Sequence, residues 1–507
     1  MALVNSNESF VTREKPYQYM IPTSPMPDMG MVLVTGASGY IGGRLVPVLM
    51  DRGYKIRVMV RTPSACLAKQ WPGVTCSAGD ALHLETLGRP LEGIHTAYYL
   101  IHSLALGPDQ FDEADIKAAS NFRKAAEEAG VKRIIYLGGL GDLTPGLSDH
   151  LSSRIKVART LSNGPIPVTV LRAAVIIGSG SASYEIIHSL ITRFRVLPLP
   201  SFLDSLCQPI SIRDALKYLV GVLETPETIG KSYDIGGADI LTYRAMMKEF
   251  AHLLNRRVAM FHFPLNHIPT YAYVASLVTP VPAPIIRSLM EGLRNNVVCR
   301  DAHIRSLVPV EPISYREALV RAMDREEQDQ IRTRWADTYP PAHELAIKLR
   351  EMRKLPRYTA THSIESDRSA AHLFQSICRI GGKEGWFNAN WMWRLRGFLD
   401  RLLGGVGIQR GRRSAATLKI GDVIDFWRVE DLVPDRRLLL RAEMLLPGRA
   451  WLEFNIDDNG NTRTLQIKAW FHTRTIFGKL YWYTFVPFHS IVFKDLIKGI
   501  EQAVLVE

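Results

Sequence analysis

The segment that decides the fold of the first half of this chain is VLVTGASGYIGGR, residues 32–44. It begins inside an apolar run, 31–35, that is typical of a buried strand, and it leads into a helical pattern at 40–52. Three glycines with the spacing GxxGxxG separate the two, namely Gly36, Gly39 and Gly42. A glycine loop between a strand and a helix allows backbone N–H groups to approach a pyrophosphate at the positive end of the helix. The segment therefore predicts a dinucleotide-binding site.

Short apolar runs alternate with helical patterns as far as about residue 239. Beyond the loop, strands are predicted at 55–61, 97–101, 132–138 and 168–177, and helices at 110–129 and 149–161. Alternation at this spacing is typical of a parallel sheet with helices on both faces. The sequence therefore predicts an α/β fold with a Rossmann-like doubly wound parallel sheet.

The length and charge of the chain indicate its organisation and its kind of partner. The chain has 507 residues, a net charge of +12 and a pI near 9.4. Changes in the sequence pattern predict a flexible leader at 1–29, a dinucleotide-binding domain at 30–323, a charge-rich linker at 324–357 and a second domain at 358–507. The positive charge suits a phosphorylated cofactor, nucleic acid or a membrane surface. Nucleic acid is not expected, because the basic residues do not form a recognisable nucleic-acid-binding module.

Cysteine usage and hydropathy predict the compartment. The five cysteines are scattered without a CxxC pair, which argues against a disulfide framework and against a zinc site. No metal is therefore expected, and a reducing cytoplasm is favoured. The apolar stretch 268–286 holds four prolines, so we expect a buried or interfacial irregular segment there rather than a membrane span. A cytoplasmic location is predicted, and a peripheral contact with a membrane stays open.

The second predicted strand ends at Arg61, where many NAD-binding proteins carry an acidic residue that binds the ribose 2′-hydroxyl. An arginine does not repel a 2′-phosphate and can bind it through two hydrogen bonds. NADP(H) is therefore favoured over NAD(H), and the alternative is a solvated arginine at a strand end. Arg57 points to the same face by strand alternation but lies further back.

Several motifs in the first part of the chain resemble NmrA-like and extended short-chain dehydrogenases/reductases. They are TGASGYIGGR (35–44), VMVRTP (58–63), AGDA (78–81), AYYLIHS (97–103) and YLGGLGD (136–142). The resemblance implies that 79–81 line the adenine pocket and that 100–103 pass beside the nicotinamide ribose, although Asp80 is equally able to cap the next turn. The implied cofactor contacts are Thr35, Gly36, Ser38, Gly39, Tyr40, Ile41, Gly42, Arg61, Thr62, Gly79, Asp80, Ala81, Leu100, His102 and Ser103.

The catalytic residues of short-chain dehydrogenases are missing from this sequence. Those enzymes use a tyrosine, with a lysine four residues later, to exchange a proton while hydride moves, and a serine or threonine to polarise the carbonyl. Here His150 and Arg154 have the four-residue spacing, and 138–139 are glycines where the hydroxyl residue is expected. One hypothesis makes His150 the general acid, oriented by Arg154. The alternatives are a surface His150 with Arg154 as a cofactor contact, participation of His102 or Ser103, and hydride transfer without a protein acid.

From residue 358 the pattern changes to long alternating strands. Apolar residues alternate along 450–456 and 464–471, and DDNGN between them is a hairpin turn signal. Further predicted elements are a strand at 359–366 and helices at 367–378, 389–403 and about 488–503. This order predicts an α+β domain in which a curved antiparallel sheet wraps a long helix and encloses a cavity.

The second domain resembles two known groups of proteins. IGGKEGWF (380–387), GDVIDFWRVE (421–430) and AEMLLPGRAWLEF (442–454) are similar to an uncharacterised domain that is often fused to such reductases. The whole domain also resembles the helix-grip fold of START and polyketide-cyclase-like (SRPBCC) proteins, which implies binding of apolar ligands such as lipids. Seven of the nine tryptophans lie here, which suits an apolar cavity. The apolar face of the helix at Trp391 is expected to pack against the sheet.

Two hypotheses of function follow from these features. The first is an NADP(H)-binding oxidoreductase that acts on a hydrophobic carbonyl, enone or quinone-like substrate, with a second domain that binds a small apolar substrate or lipid. The second is a non-catalytic NADPH-dependent sensor or scaffold, or a lipid-binding protein. The missing tyrosine and lysine favour the second hypothesis, and the fused ligand-binding domain favours the first.

Overall fold

The computed structural model describes most of the chain. The described residues are 20–61, 71–102, 111–141, 147–264, 266–327, 333, 349, 352, 355–381, 385–387, 390–402, 405, 407, 418–458, 460 and 462–503. Two predicted cofactor contacts, Thr62 and Ser103, lie outside these residues.

The first part of the chain, up to residue 327, alternates strands and helices. Its strands are β1 (Met31–Val34), β2 (Ile56–Val60), β3 (Thr75–Ala78), β4 (Ile94–Tyr99), β5 (Arg133–Gly139), β6 (Val168–Ala173), β7 (Ile176–Ile177), β8 (Val196–Leu199), β9 (Leu206–Cys207), β10 (Ile210–Ser211), β11 (Ser232–Ile235), β12 (Leu241–Thr242) and β13 (Ala259–His262). Its helices are α1 (Gly42–Asp51), α2 (Gly88–Leu91), α3 (Phe111–Glu128), α4 (Asp149–Ser162), α5 (Ala182–Arg193), α6 (Ile212–Leu223), α7 (Tyr243–Leu253), α8 (Ile268–Val278), α9 (Ala283–Gly292), α10 (Ile304–Leu307) and α11 (Tyr315–Glu327).

Seven of these strands form a parallel sheet in the order β11-β6-β5-β4-β1-β2-β3. The strands are largely buried, because α1 and α6 pack on one face while α3 and α4 pack on the other. The chain order reverses direction at β1, which pairs with both β2 and β4. Loops diverge at such a point and leave a crevice for a ligand at the carboxyl ends of the strands. The predicted Rossmann-like doubly wound fold is confirmed.

A smaller lobe begins after β6, at the carboxyl end of the sheet. It contains three two-stranded sheets, β7 with β10, β9 with β12, and β8 with β13. Apolar residues of α5, α7 and α11 form its core together with Leu140, the residue that follows β5. The lobe therefore packs directly against the edge at which a bound ligand is expected.

The apolar stretch 268–286 is helical, so the irregular segment expected there is wrong. Pro269 lies in the first turn of α8, and Pro282 is the N-cap of α9. Proline costs little at these positions, because its missing N–H group would have no partner inside the helix. Among the residues that the structure describes, no helix is both long enough and apolar enough to span a bilayer.

The second part of the chain forms a six-stranded antiparallel sheet in the order β14-β19-β18-β17-β16-β15. Its strands are β14 (Tyr358–Ser366), β15 (Val423–Ile424), β16 (Trp427–Val433), β17 (Arg437–Ala442), β18 (Arg449–Asp458) and β19 (Arg463–His472). Its helices are α12 (Ala370–Arg379), α13 (Asn390–Leu402) and α14 (Ile476–Gln502). The alternation predicted for β18 and β19 is confirmed, since Leu452, Phe454 and Ile467 lie in the core beneath α14.

The long last helix begins at Ile476 and not near residue 488, so the predicted start is wrong. Thr475 caps it through a hydrogen bond from the Gly478 backbone N–H to the threonine hydroxyl, 3.0 Å long. Pro487 lies inside the helix. A proline inside a helix removes one backbone hydrogen bond, and here packing on the sheet outweighs that local cost.

The apolar face of α13 points away from the sheet, which contradicts the packing expected from its sequence. Trp391 is 64% exposed and Leu395 is 50% exposed. The side of α13 that faces the core instead carries Trp393, which stacks on Trp386 with ring centroids 4.4 Å apart. It also carries Asp400, whose carboxylate accepts a 2.8 Å hydrogen bond from the Leu445 backbone N–H. Buried hydrogen bonds to a carboxylate stabilise a face that a hydropathy pattern assigns to solvent.

The two parts of the chain meet where α8 contacts α13. The guanidinium of Arg401 donates a 2.8 Å hydrogen bond to the carbonyl of Leu277, and the Tyr273 hydroxyl donates one of 3.1 Å to the carbonyl of Leu402. Val423 packs into an apolar cluster of α8 and α9.

Substitution of two leucines of α14 tests which face of the helix is structural. Leu496→Ala removes a side chain that is fully buried, and we expect the free energy of unfolding to fall by about 2–5 kcal/mol. Leu480→Ala removes a side chain that is 64% exposed and should change it by less than about 0.5 kcal/mol. Urea unfolding followed by tryptophan fluorescence measures both values. Equal losses in the two variants would mean that the burial of α14 is assigned incorrectly.

Candidate functional site

The glycine loop after β1 is closed tightly against the end of β4. Gly36 has φ +62°, and a Cβ atom at this position would lie 2.5 Å from the carbonyl oxygen of Leu100. A Cβ atom on Gly42 would overlap the backbone of Gly36 and Ala37. Both positions therefore require glycine, one for conformation and close approach and the other so that α1 can begin against the loop.

Thr35 joins the loop to the neighbouring strand. Its hydroxyl donates a 2.9 Å hydrogen bond to the carbonyl of Tyr98 and accepts one of 3.0 Å from the backbone N–H of Leu100. The side chain is fully buried. Thr35 is one of the predicted cofactor contacts. Its hydrogen bonds fix the ends of β1 and β4 relative to each other and so shape the site.

Arg44, the last residue of the loop motif, holds the start of α1 in place. Its buried guanidinium donates a 2.8 Å hydrogen bond to the carbonyl of Ser179 and lies 4.1 Å from the centroid of the Tyr40 ring. It also donates to the hydroxyl of Thr333, which in turn donates to the carbonyl of Tyr40. The methyl group of Thr333 occupies the space that a side chain at Gly43 would need. A residue of the predicted linker therefore braces the glycine loop, and no sequence motif indicates this contact.

The loop and the start of α1 fit a pyrophosphate. Ile41, the N-cap of α1, makes no capping hydrogen bond through its side chain within the described structure. The backbone N–H groups of Gly43 and Arg44 bond to the carbonyls of Gly39 and Ile41, so the start of α1 stabilises an anion in the glycine cradle mainly through the positive end of its dipole. Ser38, Gly39 and Tyr40 form the turn between them.

Arg57 of β2 and Arg61, which follows this strand, have different environments. The guanidinium of Arg57 donates to backbone carbonyls at the end of α2, including a 2.6 Å hydrogen bond to Glu92. Arg61 follows the last residue of β2 and is exposed. Arg61 is therefore the arginine that lies at the ligand edge of the sheet, beside the glycine loop.

The predicted adenine pocket residues follow β3. The Asp80 carboxylate accepts a 3.0 Å hydrogen bond from the Leu82 backbone N–H, so it caps the next turn. The carbonyl of Ala81 accepts a 2.9 Å hydrogen bond from the Asn121 side chain. A Cβ atom at Gly79 would lie 2.9 Å from the ring of Pro90. The turn that presents these residues is thus held by local hydrogen bonds and close packing.

A cavity of about 280 Å³ opens beyond the loop, between the ends of β4, β5 and β6 and the smaller lobe. The structure brings together there five of the predicted site residues, Ile41, Leu100, His102, His150 and Arg154, along with Ile101 and the glycines at 138–139. A Cβ atom at Gly139 would lie 3.1 Å from Leu151 and 3.3 Å from the Cγ atom of Arg154. α4 packs closely on β5 here, so a serine or threonine at this position would have to shift the side chains of Leu151 and Arg154 by a few tenths of an ångström.

Arg154 forms a buried ion pair beneath the cavity. Its guanidinium lies 2.5 Å from the Asp115 carboxylate of α3, and both side chains are almost completely buried. The Tyr136 hydroxyl donates a 3.3 Å hydrogen bond to the backbone carbonyl of Arg154. The pair fixes a permanent positive charge at the floor of the cavity. Asp115 was missed by sequence reasoning, because one aspartate in an amphipathic helix carries no signal.

The cavity lowers the pKa of both of its histidines, which favours the neutral imidazole. Desolvation, followed by the positive charge of Arg154 and then by His102, lowers the pKa of His150 to about 3. Desolvation and the charge of Arg154 also lower the pKa of His102, although its ring remains accessible from the cavity. A neutral imidazole still donates a hydrogen bond through its N–H group, but it no longer supplies a proton as imidazolium.

A second cavity, of about 300 Å³, adjoins the first and is lined almost entirely by apolar side chains. The residues that line both cavities are Val175, Ser183, Tyr243, Leu289 and Leu293. Side chains of α5, α8 and α9 form most of the remaining wall, including Ile187, Val278 and Met290. The two cavities together provide a polar end beneath the predicted nicotinamide position and a long apolar end.

The second part of the chain holds a cavity of about 260 Å³ between α13, α14 and the sheet. Aromatic residues dominate its lining, among them Trp427, Trp470, Phe485 and Phe493. Four buried nitrogens of its lining have no hydrogen-bond partner among the described residues: Nε1 of Trp393, Nε of Arg396, Nε1 of Trp427 and Nδ1 of His489. The cavity therefore suits an apolar molecule that carries a polar group able to accept hydrogen bonds.

Comparison with known proteins divides the chain in the same way as the structure. The profile of the NmrA-like family matches residues 28–294, and the profile of a protein family of unknown function (DUF2867) matches residues 354–496. The first match spans more than half of the 507 residues.

Curated relatives resemble parts of the first region. A 3-beta-hydroxysteroid dehydrogenase of Mycolicibacterium neoaurum is 33% identical over 118 residues, which are 22% of this chain and 32% of the relative. A ceramide reductase of Caulobacter vibrioides is 26% identical over 239 residues, which are 46% of this chain and 74% of the relative. The chain spans about a third of the length of the first of these relatives.

Solved structures cover the first region at low identity. The triphenylmethane reductase of a Citrobacter species has a TM-score of 0.47 and 19% identity, and it covers 58% of this chain and 99% of its own. Likeness at this level adds nothing about activity. On the match of the NmrA-like profile to more than half of its residues, the chain belongs to the NmrA-like family.

Proposed function

We propose that this protein is an NADP(H)-binding oxidoreductase that acts on a hydrophobic carbonyl, enone or quinone-like substrate. The observation that carries the proposal is the continuity of three features. The glycine loop, the polar cavity with His150 and Arg154, and the apolar cavity beyond it adjoin one another at one end of the sheet. This order matches what a dinucleotide and an apolar acceptor would need.

The preference for NADP(H) rests on Arg61. Arg57 is engaged at the end of α2, whereas Arg61 is exposed where β2 ends beside the glycine loop. A guanidinium in this place would complement the 2′-phosphate, and the acidic residue that would bind the free hydroxyl and repel the phosphate is absent there.

The cofactor would be held by the glycine cradle, the start of α1 and Arg61, and when bound it supplies a hydride. The protein's part is to stabilise the negative charge that develops on the substrate oxygen. His150 does this as a neutral N–H donor, and Arg154 adds a fixed positive charge that Asp115 keeps in position. A neutral histidine acting as an electrophile in place of an acid is an established mode of carbonyl polarisation. The proton then comes from water.

We propose an apolar substrate because apolar side chains line almost the whole second cavity. Its wall offers few polar groups, and the hydroxyl of Tyr243 is hydrogen-bonded to the thiol of Cys207. The names of two curated relatives describe redox enzymes of a steroid and of ceramide, both of which are lipids. These names support the class of substrate and do not identify it.

The second domain is proposed to bind a small apolar ligand or lipid in the manner of helix-grip proteins. The long helix α14 on a six-stranded antiparallel sheet, with a cavity of about 260 Å³ between them, supports this proposal. Fusion to the oxidoreductase domain would then raise the local concentration of the substrate.

A non-catalytic, NADPH-dependent sensor or scaffold is the second candidate. It is favoured by the presence of His150 and Arg154 in place of the tyrosine and lysine. Steady NADPH oxidation, followed at 340 nm with a panel of apolar ketones, enones and quinones, separates the two. Cofactor binding without turnover of any member of the panel would support the sensor.

Substitution of Arg61 tests the preference for NADP(H). Arg61→Ala should weaken NADPH binding about tenfold, because it removes a charge-assisted contact to the 2′-phosphate, and should leave NADH binding unchanged. Isothermal titration with each cofactor measures the ratio of the affinities. Arg57→Ala is the matched control and should leave that ratio as it is. An unchanged ratio in Arg61→Ala would show that another residue binds the phosphate.

The pH dependence of turnover tests the role of His150. Because its pKa lies near 3, His150 is neutral from pH 5 to pH 8, and kcat should show no rise toward acid with a midpoint near 6.5. His150→Ala should lower kcat about tenfold or more at every pH in this range, with NADPH affinity preserved. A midpoint between 6 and 7 that disappears in His150→Ala would show an imidazolium acid instead.

Narrowing the apolar cavity tests whether the substrate occupies it. Val278→Phe adds a ring inside the cavity, so KM for bulky substrates should rise at least about tenfold, while the Kd of NADPH stays the same. Ile240→Phe adds the same ring at an exposed position and serves as the control. Equal effects of the two variants on KM would place the substrate elsewhere.

A further inference from the structure

One face of α14 is apolar and exposed over the first two thirds of the helix. Phe477 is 80% exposed and stands beside Ile476, which is exposed to the same degree. The other exposed apolar residues of this face recur at helical spacing and are Leu480, Tyr483, Phe488 and Ile491. Single exposed apolar residues are common on protein surfaces, whereas contiguous apolar patches are rare. A face of this size is therefore unfavourable in contact with water.

The exposed face of α13 extends this surface. Its apolar residues also follow helical spacing and are Trp391, Leu395, Phe398, Leu399 and Leu402. Residues of both helices line the aromatic cavity, and Arg396 of α13 donates a hydrogen bond to the hydroxyl of Tyr481 of α14. We call the exposed apolar residues of α13 and α14 the α13/α14 face.

The cavity of the second domain opens through this face. Trp391, Leu395, Leu399 and Phe488 are exposed on the outside and also line the cavity within. A molecule that leaves the cavity between these residues meets apolar side chains along its whole path. The face therefore suits an apolar medium on the outside better than it suits water.

The charged residues around the α13/α14 face indicate which kind of partner binds to it. Exposed basic residues border it at Arg394, Lys479 and Lys494. α13 contains one acidic residue, the buried Asp400, and α14 contains two, Asp495 and Glu501, which are partly buried and lie beyond the exposed apolar part of the helix. An apolar helical face with a basic border and no exposed carboxylate is the pattern of interfacial helices that bind anionic lipid surfaces. A second copy of this chain is a poorer fit, since a symmetric contact would bring the basic borders of both copies together.

We propose that the α13/α14 face docks on an anionic lipid bilayer, with the aromatic cavity opening into the acyl region. The helices lie in the interface and do not span it, since no described helix is long and apolar enough to do so. This proposal is independent of the oxidoreductase activity, because it concerns only where the second domain binds.

Vesicle flotation of the full chain tests the proposal. Vesicles of phosphatidylcholine with phosphatidylglycerol should carry the protein upward in a density gradient, and vesicles of phosphatidylcholine alone should carry less of it. The double variant Phe477→Ser with Leu480→Ser should lower the partition coefficient about tenfold or more. Ile229→Ser with Ile240→Ser removes two exposed apolar residues of the first domain and should leave it unchanged.

Two further measurements check the orientation. Vesicles with brominated acyl chains should quench the protein fluorescence, and Trp391→Phe should remove part of this quenching while binding is retained. Arg394→Glu with Lys479→Glu should abolish the preference for anionic vesicles.

The proposal fails if the wild-type protein does not float with anionic vesicles, or if the α14 double variant and its control float equally. It also fails if light scattering shows a dimer that the α14 double variant converts to a monomer, since the face would then join two copies. Circular dichroism and NADPH affinity, both expected to be unchanged, exclude loss of folding as the cause.

Discussion

The contact between the glycine loop and the end of β4 is the constraint on which the rest of the first domain depends. Gly36 lies against the carbonyl of Leu100, and the hydroxyl of Thr35 bonds to β4 on both its donor and acceptor sides. The backbone at the end of β4 therefore forms one wall of the phosphate cradle and also part of the wall of the polar cavity. Arg44 and Thr333 brace the opposite side of the loop. The proposed cofactor site and the polar cavity thus share one stretch of backbone, which would position a bound cofactor relative to the cavity.

The buried charge of Arg154 then determines what chemistry the cavity supports. A guanidinium out of water requires a partner, and Asp115 provides it. The resulting fixed positive charge, together with desolvation, keeps His150 neutral. The tyrosine and lysine of short-chain dehydrogenases transfer a proton. Arg154 and His150 provide instead a permanent positive charge and a neutral hydrogen-bond donor. The pair at 150 and 154 therefore differs in kind from the usual one, and it stabilises charge on an oxygen better than it relays a proton.

Local patterns predicted the parallel sheet, the glycine cradle and the hairpin of the second domain, because each leaves a recognisable signal in residues that are close together in sequence. Asp115 and Thr333 could not be predicted, since their roles depend on contacts across the fold. The face of α13 was misassigned for a related reason: Asp400 is buried by hydrogen bonds that its sequence context does not reveal. Pro487 likewise concealed the true start of α14, because tertiary packing outweighed a local helix-breaking signal.

The contact between α8 and α13 gives the domain fusion a physical meaning. Val274 of α8 is exposed and lines the apolar cavity of the first domain, while its neighbour Tyr273 bonds to the end of α13. The opposite end of α13 lies at the mouth of the aromatic cavity. Helix α13 thus lies between two apolar cavities, and the hydrogen bond from Arg401 to the carbonyl of Leu277 joins it to α8. On the proposed function, two apolar cavities on either side of the same helix would shorten the path of a poorly soluble molecule through water.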